Sequence, residues 1–307
     1  MPNNSPAPRW LTILAFAIIY LVWGSTFLAI RIGVHEVPPL LFAAMRFLAA
    51  GLVLFLWLIA RREPLPTGRQ WLSILLLSTL IFLIDYGLLF WAEQRVPSGI
   101  AAVIMASIPL FTALAEITLL RTQRLTPRLA IALLIGIAGV AVLMSHSFNL
   151  GDTPIDRTGA FAIILGAITW SLASVLSRKL PLPPSKVMSS AAQMLAGGAL
   201  LTVASVAFGE FGRFHPTAVS STSWLALAYL TVAGSLIGFT AYVWLISHHS
   251  PTKVGTYAYV NPVVAVLLGY FFASEALGLR TILGTVCVLI SVLVITIASR
   301  TKDETVS

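Results

Sequence analysis

Charge is scarce in this sequence: 10% of its 307 positions are charged and 58% are hydrophobic. Soluble globular domains carry about 25% charged residues, so the chain lacks the polar groups to cover a surface in water. A bilayer removes that requirement, because hydrocarbon replaces water around most side chains. Cysteine is scarcer still. The single Cys287 excludes an internal disulfide and a multi-cysteine metal site, and its place inside an apolar run gives it a packing role. His35, His146, His215, His248 and His249 are scattered over different connections without ligand spacing, so no metal site is expected. The chain has no Gly-x-x-x-x-Gly-Lys-Ser/Thr stretch, which excludes a protein that powers itself with nucleotide. No cofactor is expected.

The net charge of +8 does not point to nucleic acid. The basic residues form no patch or helical face but fall in small groups between apolar runs, as topology selection produces. The expected partners are the lipid bilayer and a small-molecule substrate, and a monomer is compatible with that.

What the chain has in abundance is long apolar runs. About 20 apolar residues cross the hydrocarbon as a helix. The runs predict ten spans: 10–30, 38–60, 70–92, 97–120, 127–145, 158–178, 186–209, 222–247, 251–273 and 279–299. The first has no clear cleavage site and is longer than a cleaved signal segment of about 7–15 residues, so it is read as a retained helix. Of the 19 Lys and Arg residues, 13 fall in the connections on the side of the termini, five on the other side, and Arg46 inside a span. That imbalance places both termini in the cytoplasm.

The second half repeats the first. Trp23 and Arg46 map onto Trp170 and Gln193 at an offset of 147 residues, and Trp71, Trp91 and Pro109 onto Trp224, Trp244 and Pro262 at 153. Five spans per half is an odd number, so the second copy, 158–299, enters the membrane opposite to the first, 10–145. The fold expected is an all-α integral membrane protein of ten helices in two inverted-topology repeats. Many secondary transporters have that form, with halves that rock about a central site.

Pro109 and Pro262 lie ~16–18 Å deep at ~1.5 Å per residue, near the midplane, and each removes the donor to the carbonyl four residues earlier. Helix breaks at matching depths in the two halves point to a binding site. Next to Pro262, Tyr257 and Asn261 share a helix face and offer polar tips to a solute. Trp23 and Trp170 sit deep, away from the interfaces tryptophan favours, and supply apolar walls. Trp71, Trp91, Trp224 and Trp244 lie near span ends as interfacial anchors.

Arg46, Asp85 and Glu116 are charges inside spans, which are functional hypotheses by default. Arg46 and Asp85, at similar estimated depth in adjacent antiparallel spans, can pair; facing a cavity instead, Arg46 can bind a solute carboxylate and Asp85 can carry a proton or meet a cationic solute. Tyr86 adjoins Asp85 and joins the expected substrate site. Glu93, at an outer span end, shares with Asp85 the role of candidate proton carrier. Glu116 reaches an interface and has a structural role. Gly238 and Gly269 occupy the repeat positions of Asp85 and Glu116, so the polar apparatus is asymmetric.

Trp23-Gly24-Ser25-Thr26, Arg46-Phe47, Val96-Pro97-Ser98-Gly99 with Pro109, and Tyr257 to Pro262 together resemble the EamA-type exporters of the drug/metabolite transporter superfamily, over nearly the whole chain as two EamA-like domains. The family's second domain usually has a Gly-Glu pair before its last helix, and here it reads Ser274-Glu275. The counterpart near Thr122–Gln123 lacks the acid. The resemblance implies ten helices, export of metabolites such as amino acids or of toxic compounds, and residence in the bacterial cytoplasmic membrane. It fixes neither the solute nor the energy source: proton antiport and facilitated diffusion both fit. A membrane sensor that binds a solute without moving it is the rival reading. An integral membrane enzyme needs a cluster of nucleophile, base or metal ligands at one depth, and the sequence has none.

Overall fold

The computed structural model describes residues 8–120, 125–144, 155–249 and 254–303. Arg121, Arg124, Lys253, His146 and the Thr122–Gln123 pair lie outside them. The described residues are helical, with no strand among them. In hydrocarbon only a helix or a closed barrel satisfies every backbone group. Long uncharged runs without an alternating pattern therefore fold as helices.

Among the described residues the longer helices follow in order: α1 Arg9–Val34, α2 Pro39–Ala60, α3 Gly68–Ala92, α4 Ser98–Leu119, α5 Pro127–Met144, α6 Arg157–Ser177, α7 Lys186–Ala207, α8 Ser221–Leu245, α9 Tyr257–Ala273 and α10 Leu279–Asp303. Seven of them, α1 to α4 and α6 to α8, are long and apolar enough to cross a membrane, and 127–143, 257–273 and 279–295 form shorter apolar helices. Each overlaps one apolar run of the sequence. The helix α9 runs from Tyr257, after a turn at Gly255–Thr256; the predicted start at 251 lies outside the described residues.

Starts are written locally. Thr67 and Gln70 make a reciprocal capping box before α3, and Asp156, Ser185 and Ser220 cap α6, α7 and α8 by accepting main-chain N–H groups. Helices α2 and α4 start after Pro38 and Pro97 without any such cap.

The most extensive packing joins α2 to α7 and α5 to α10, and α4 packs on α9. The α2–α7 crossing uses two glycines 147 positions apart. A Cβ on Gly51 would stand 2.6 Å from Leu195 N, and one on Gly198 2.7 Å from Leu48 N. Only glycine lets these backbones approach so closely.

Four helices contain π-helical stretches: Ile18–Val22 in α1, Thr79–Tyr86 in α3, Glu116–Leu120 ending α4, and Leu230–Ile237 in α8. Such stretches bond i to i+5, re-aim side chains, and recur at functional sites.

Candidate functional site

Arg46 lies about two turns into α2 and is 4% exposed. Its Nε donates to Ser235 Oγ at 3.0 Å, and Ser235 Oγ donates to Leu230 O at 3.1 Å inside the α8 π stretch. The guanidinium lies over Phe47 at 4.8 Å and Tyr86 at 5.7 Å from the ring centroids. No Asp or Glu oxygen comes within 4.0 Å of it among the described residues. A buried guanidinium holding one neutral hydrogen bond has donors to spare, in the fork geometry that suits a carboxylate.

Tyr86 carries this aromatic shell to α6, with its ring 4.7 Å from Phe47 and 6.0 Å, edge-on, from Trp170. A second shell forms on α1, α8 and α9. Trp23 Nε1 donates to Gly234 O at 3.0 Å, and its ring stands 5.1 Å from Tyr257 and 5.3 Å from Tyr242. The shells meet at Gly234–Ser235: Gly234 receives Trp23, Ser235 holds Arg46, and a Cβ on Gly234 would lie 3.2 Å from the Arg46 NH2 nitrogen. Trp23 also fills the place of a side chain at Gly238.

Asn261 is buried. With its amide nitrogen turned toward α1, it donates to Ile19 O, Tyr20 O and Tyr257 O, each at 3.2 Å. Ile19 and Tyr20 belong to the α1 π stretch, where the shift of bonding frees carbonyl oxygens for such a donor. Asn261 thus braces α9 against α1.

The expected Arg46–Asp85 pair does not form. Asp85 is fully buried, accepts no hydrogen bond, and lies in the notch left by Gly166 of α6, where a Cβ would stand 2.6 Å from Oδ1. Counting along an ideal α-helix fails here because Asp85 falls in the Thr79–Tyr86 π stretch, which turns it toward α6.

The prolines also differ from expectation. Helix α4 does break near Pro109, but at Ala106–Ser107, with Pro109 in the first turn of the resumed helix. There Ser171 Oγ of α6 donates to Ile108 O at 3.0 Å. Pro262 lies inside the unbroken α9; the interruption in that region is the turn before Tyr257. A proline is held in a membrane helix where neighbours supply the lost contacts, and α1 packs closely here, with Asn261 O 3.1 Å from where a Cβ on Gly24 would lie.

A cavity of about 880 Å³ opens elsewhere, lined among others by His35, Leu83, Trp91, Arg95, Phe208 and Arg213. None of Trp23, Arg46, Asp85, Tyr86, Trp170, Tyr257 and Asn261 lines it.

At one end of the bundle, two glutamates supply the caps that α2 and α4 lack. Glu210, just past α7, accepts Leu40 N at 3.3 Å on one oxygen, and Leu41 N at 2.8 Å and Ser205 Oγ at 3.1 Å on the other. Glu275, just past α9, accepts Ser98 N, Ser98 Oγ and Gly99 N at 2.7, 2.8 and 3.0 Å and pairs with Arg31 Nε at 3.3 Å. Gly269 leaves the space in which the Glu275 carboxylate lies. Carboxylates at helix N-termini meet both the orphan N–H groups and the positive dipole end. No motif in the sequence marks Glu210 as a helix cap or Arg31 as a bridge between connections. The signal for Glu275 was its place in the Ser274-Glu275 pair.

Glu93 ends α3 at the same place, fully buried, and its carboxyl accepts no hydrogen bond. Glu36, in the α1–α2 connection, accepts Ser220 N at 2.8 Å. That N–H, then the Ser223 and Ser220 hydroxyls, hold its carboxyl below the usual carboxylate range. Toward the other end, Glu116 pairs with Arg178.

These features define a helical membrane protein with a buried, aromatic-walled cation at its centre. The EamA-like transporter family model matches residues 10–145 and again 157–297, and the chain belongs to that family. It is 42% identical over 267 residues to the "Uncharacterized inner membrane transporter YedA" of Escherichia coli K12, covering 86% of this chain and 83% of that protein. Protein PecM of Dickeya dadantii is 27% identical over 276 residues, covering 89% and 88%. A solved crystal structure matches with a TM-score of 0.62 at 23% identity, over 96% of this chain and 99% of its own, a likeness of fold.

Proposed function

We propose that this protein exports small amphipathic metabolites that carry a carboxylate, such as amino acids or related compounds, or toxic compounds of that kind, across the bacterial cytoplasmic membrane. It works by alternating access between two inverted repeats of five helices, 10–145 and 158–299, with both termini in the cytoplasm. The observation that carries the reading is Arg46: a buried guanidinium between aromatic faces, with one hydroxyl partner and no carboxylate within 4.0 Å among the described residues. A solute carboxylate supplies the missing acceptor, and Trp23, Tyr86, Trp170 and Tyr257 enclose its apolar part. Asn261 keeps the α1–α9 wall in place.

The repeat is supported by packing of helix n on helix n+5 for α2, α4 and α5, and by π stretches in both α3 and α8. The orientation is supported by the uneven division of Lys and Arg. Asp85 and Glu93, buried carboxyls without donors, are the candidates to carry a coupling proton.

Proteoliposomes preloaded with leucine or phenylalanine test the reading. The amino acids should exchange by counterflow. Their methyl esters, which lack the carboxylate, should exchange at least ~10-fold less, the worth of one charge-assisted hydrogen bond of about 1.5 kcal/mol or more. Equal exchange of acids and esters would refute the assignment to Arg46.

A further inference from the structure

Glu93 and Glu275 lie near one arginine in opposite circumstances. Glu275 accepts from Ser98 N, Ser98 Oγ, Gly99 N and Arg31 Nε. The Glu93 carboxyl accepts from nothing, although it is completely buried. Arg31 already touches Glu93 through the main chain: its NH1 donates to Glu93 O at 3.2 Å and Val96 O at 2.7 Å. The guanidinium therefore bridges the end of α3, the start of α4 and the α9–α10 connection.

The charged groups acting on Glu93 are Arg31 from α1, Glu275 from the α9–α10 connection and Arg46 from α2. At the start of α6, which packs against Ala92 through Gly159, the Asp156 carboxylate is taken up by Gly159 N at 2.6 Å. On the α3–α4 connection itself, Gln94 donates to Val34 O and Arg95 stacks on Trp91. Arg31 is thus the cation in direct contact with both glutamates. Two ionised carboxylates beside one guanidinium leave one carboxylate uncompensated, and for the fully buried Glu93 that is strongly unfavourable.

We propose that Glu93 and Glu275 compete for Arg31, so that this end of the protein closes when Glu93 takes up a proton and opens when Glu93 gives it up. The proposal rests on the transport reading above and names its coupling step. On opening, the O–H bond of Glu93 breaks and its proton passes to water at the outer end. Arg31 transfers to the Glu93 carboxylate. The Glu275 carboxylate, still ionised, leaves Ser98 and Gly99 for water, and the α9–α10 connection releases α4. Closing reverses each step and takes one proton from the outer solution. Acid therefore favours the closed end and alkali the open one.

A cysteine at Val266, which faces Gly99 across the α4–α9 contact, reports the gate in a Cys287→Ala background. Its rate of reaction with a membrane-impermeant maleimide in whole cells, divided here and below at each pH by that of the same cysteine in unfolded protein because the thiolate is the reacting form, should rise about tenfold or more from about pH 5.5 to about pH 8.5, following the loss of one proton by Glu93. Glu93→Gln should hold the rate low at every pH. Glu275→Gln should hold it high at every pH. If Glu275→Gln fails to reach the membrane, Ser98→Ala, which removes one donor, should move the midpoint to lower pH. A pH dependence that survives Glu93→Gln, or a rate indifferent to Glu275 and Ser98, overturns the proposal. Counterflow in wild-type proteoliposomes is read separately. Flux with a flat labelling profile leaves the transport reading standing and sinks the gate; the labelling profile without flux does the reverse.

Discussion

Arg46 Nε and Ser235 Oγ, 189 residues apart in sequence, meet at 3.0 Å in the interior. That bond fixes a guanidinium on α2 by a hydroxyl of the α8 π stretch, with aromatic faces on two sides. Replacing Arg46 should therefore remove solute binding without leaving an orphaned carboxylate. Arg46→Gln should reach the membrane at near wild-type yield, while its half-saturation for leucine counterflow rises about 10- to 100-fold, the worth of a bond between charged groups at ~1.5–3 kcal/mol. Size-exclusion profiles and counterflow on the same preparation check both halves.

Gly166 and Asp85 are coupled by shape. A methyl group at Gly166 collides with Asp85 Oδ1, so Gly166→Ala should destabilise by about 1–3 kcal/mol, the usual range for overpacking. Adding Asp85→Ala should recover most of that loss. A double-mutant cycle of thermal stability in detergent reads the coupling, and additive losses would show that the two do not touch.

The α2–α7 crossing depends on two absent side chains. Gly51→Val and Gly198→Val each drive a side chain into the opposite backbone and should each cost roughly 1–3 kcal/mol. Gly68, with nothing within 4 Å of its Cβ position, is the control, and Gly68→Ala should leave the melting temperature unchanged.

Ser274 stands at φ +53°, ψ +31°, a conformation that costs a residue with a Cβ ~1 kcal/mol or more. Ser274→Gly should raise stability by up to roughly 1 kcal/mol, offset in part by the greater freedom of glycine in the unfolded chain. Intact Glu275 contacts should show as unchanged maleimide labelling at Val266→Cys.

Glu36 gives the one pH prediction outside the membrane. Its carboxyl is held below the usual range by Ser220 and Ser223. Its contribution is therefore present above the ordinary carboxylate value and is lost as pH falls through the lowered folded value. Wild type should melt slightly above Glu36→Gln at neutral pH, and the two curves should converge in acid. A difference that grows on acidification would contradict the contact.

The apolar runs announced the seven helices that are long enough to span a membrane, because in lipid the backbone must satisfy itself locally and a run of about 20 apolar residues has one way to do so. Composition and the absent motifs set the class of protein, and Arg46 stood out because a charge in a span is costly. The two glycines of the α2–α7 crossing lie 147 positions apart, one of the repeat offsets read from the sequence. Tertiary structure decided the partners. Arg46 found Ser235 and not Asp85, because π stretches in α3 and α8 change which way residues face, and i-to-i+5 bonding is not written in hydropathy. Glu275 and Glu210 cap helices that begin some 170 positions earlier, a relation set by how the two halves pack. Apolar character is a property of each residue, legible one position at a time; a hydrogen bond between distant helices exists only once packing has brought donor and acceptor together and excluded water from both.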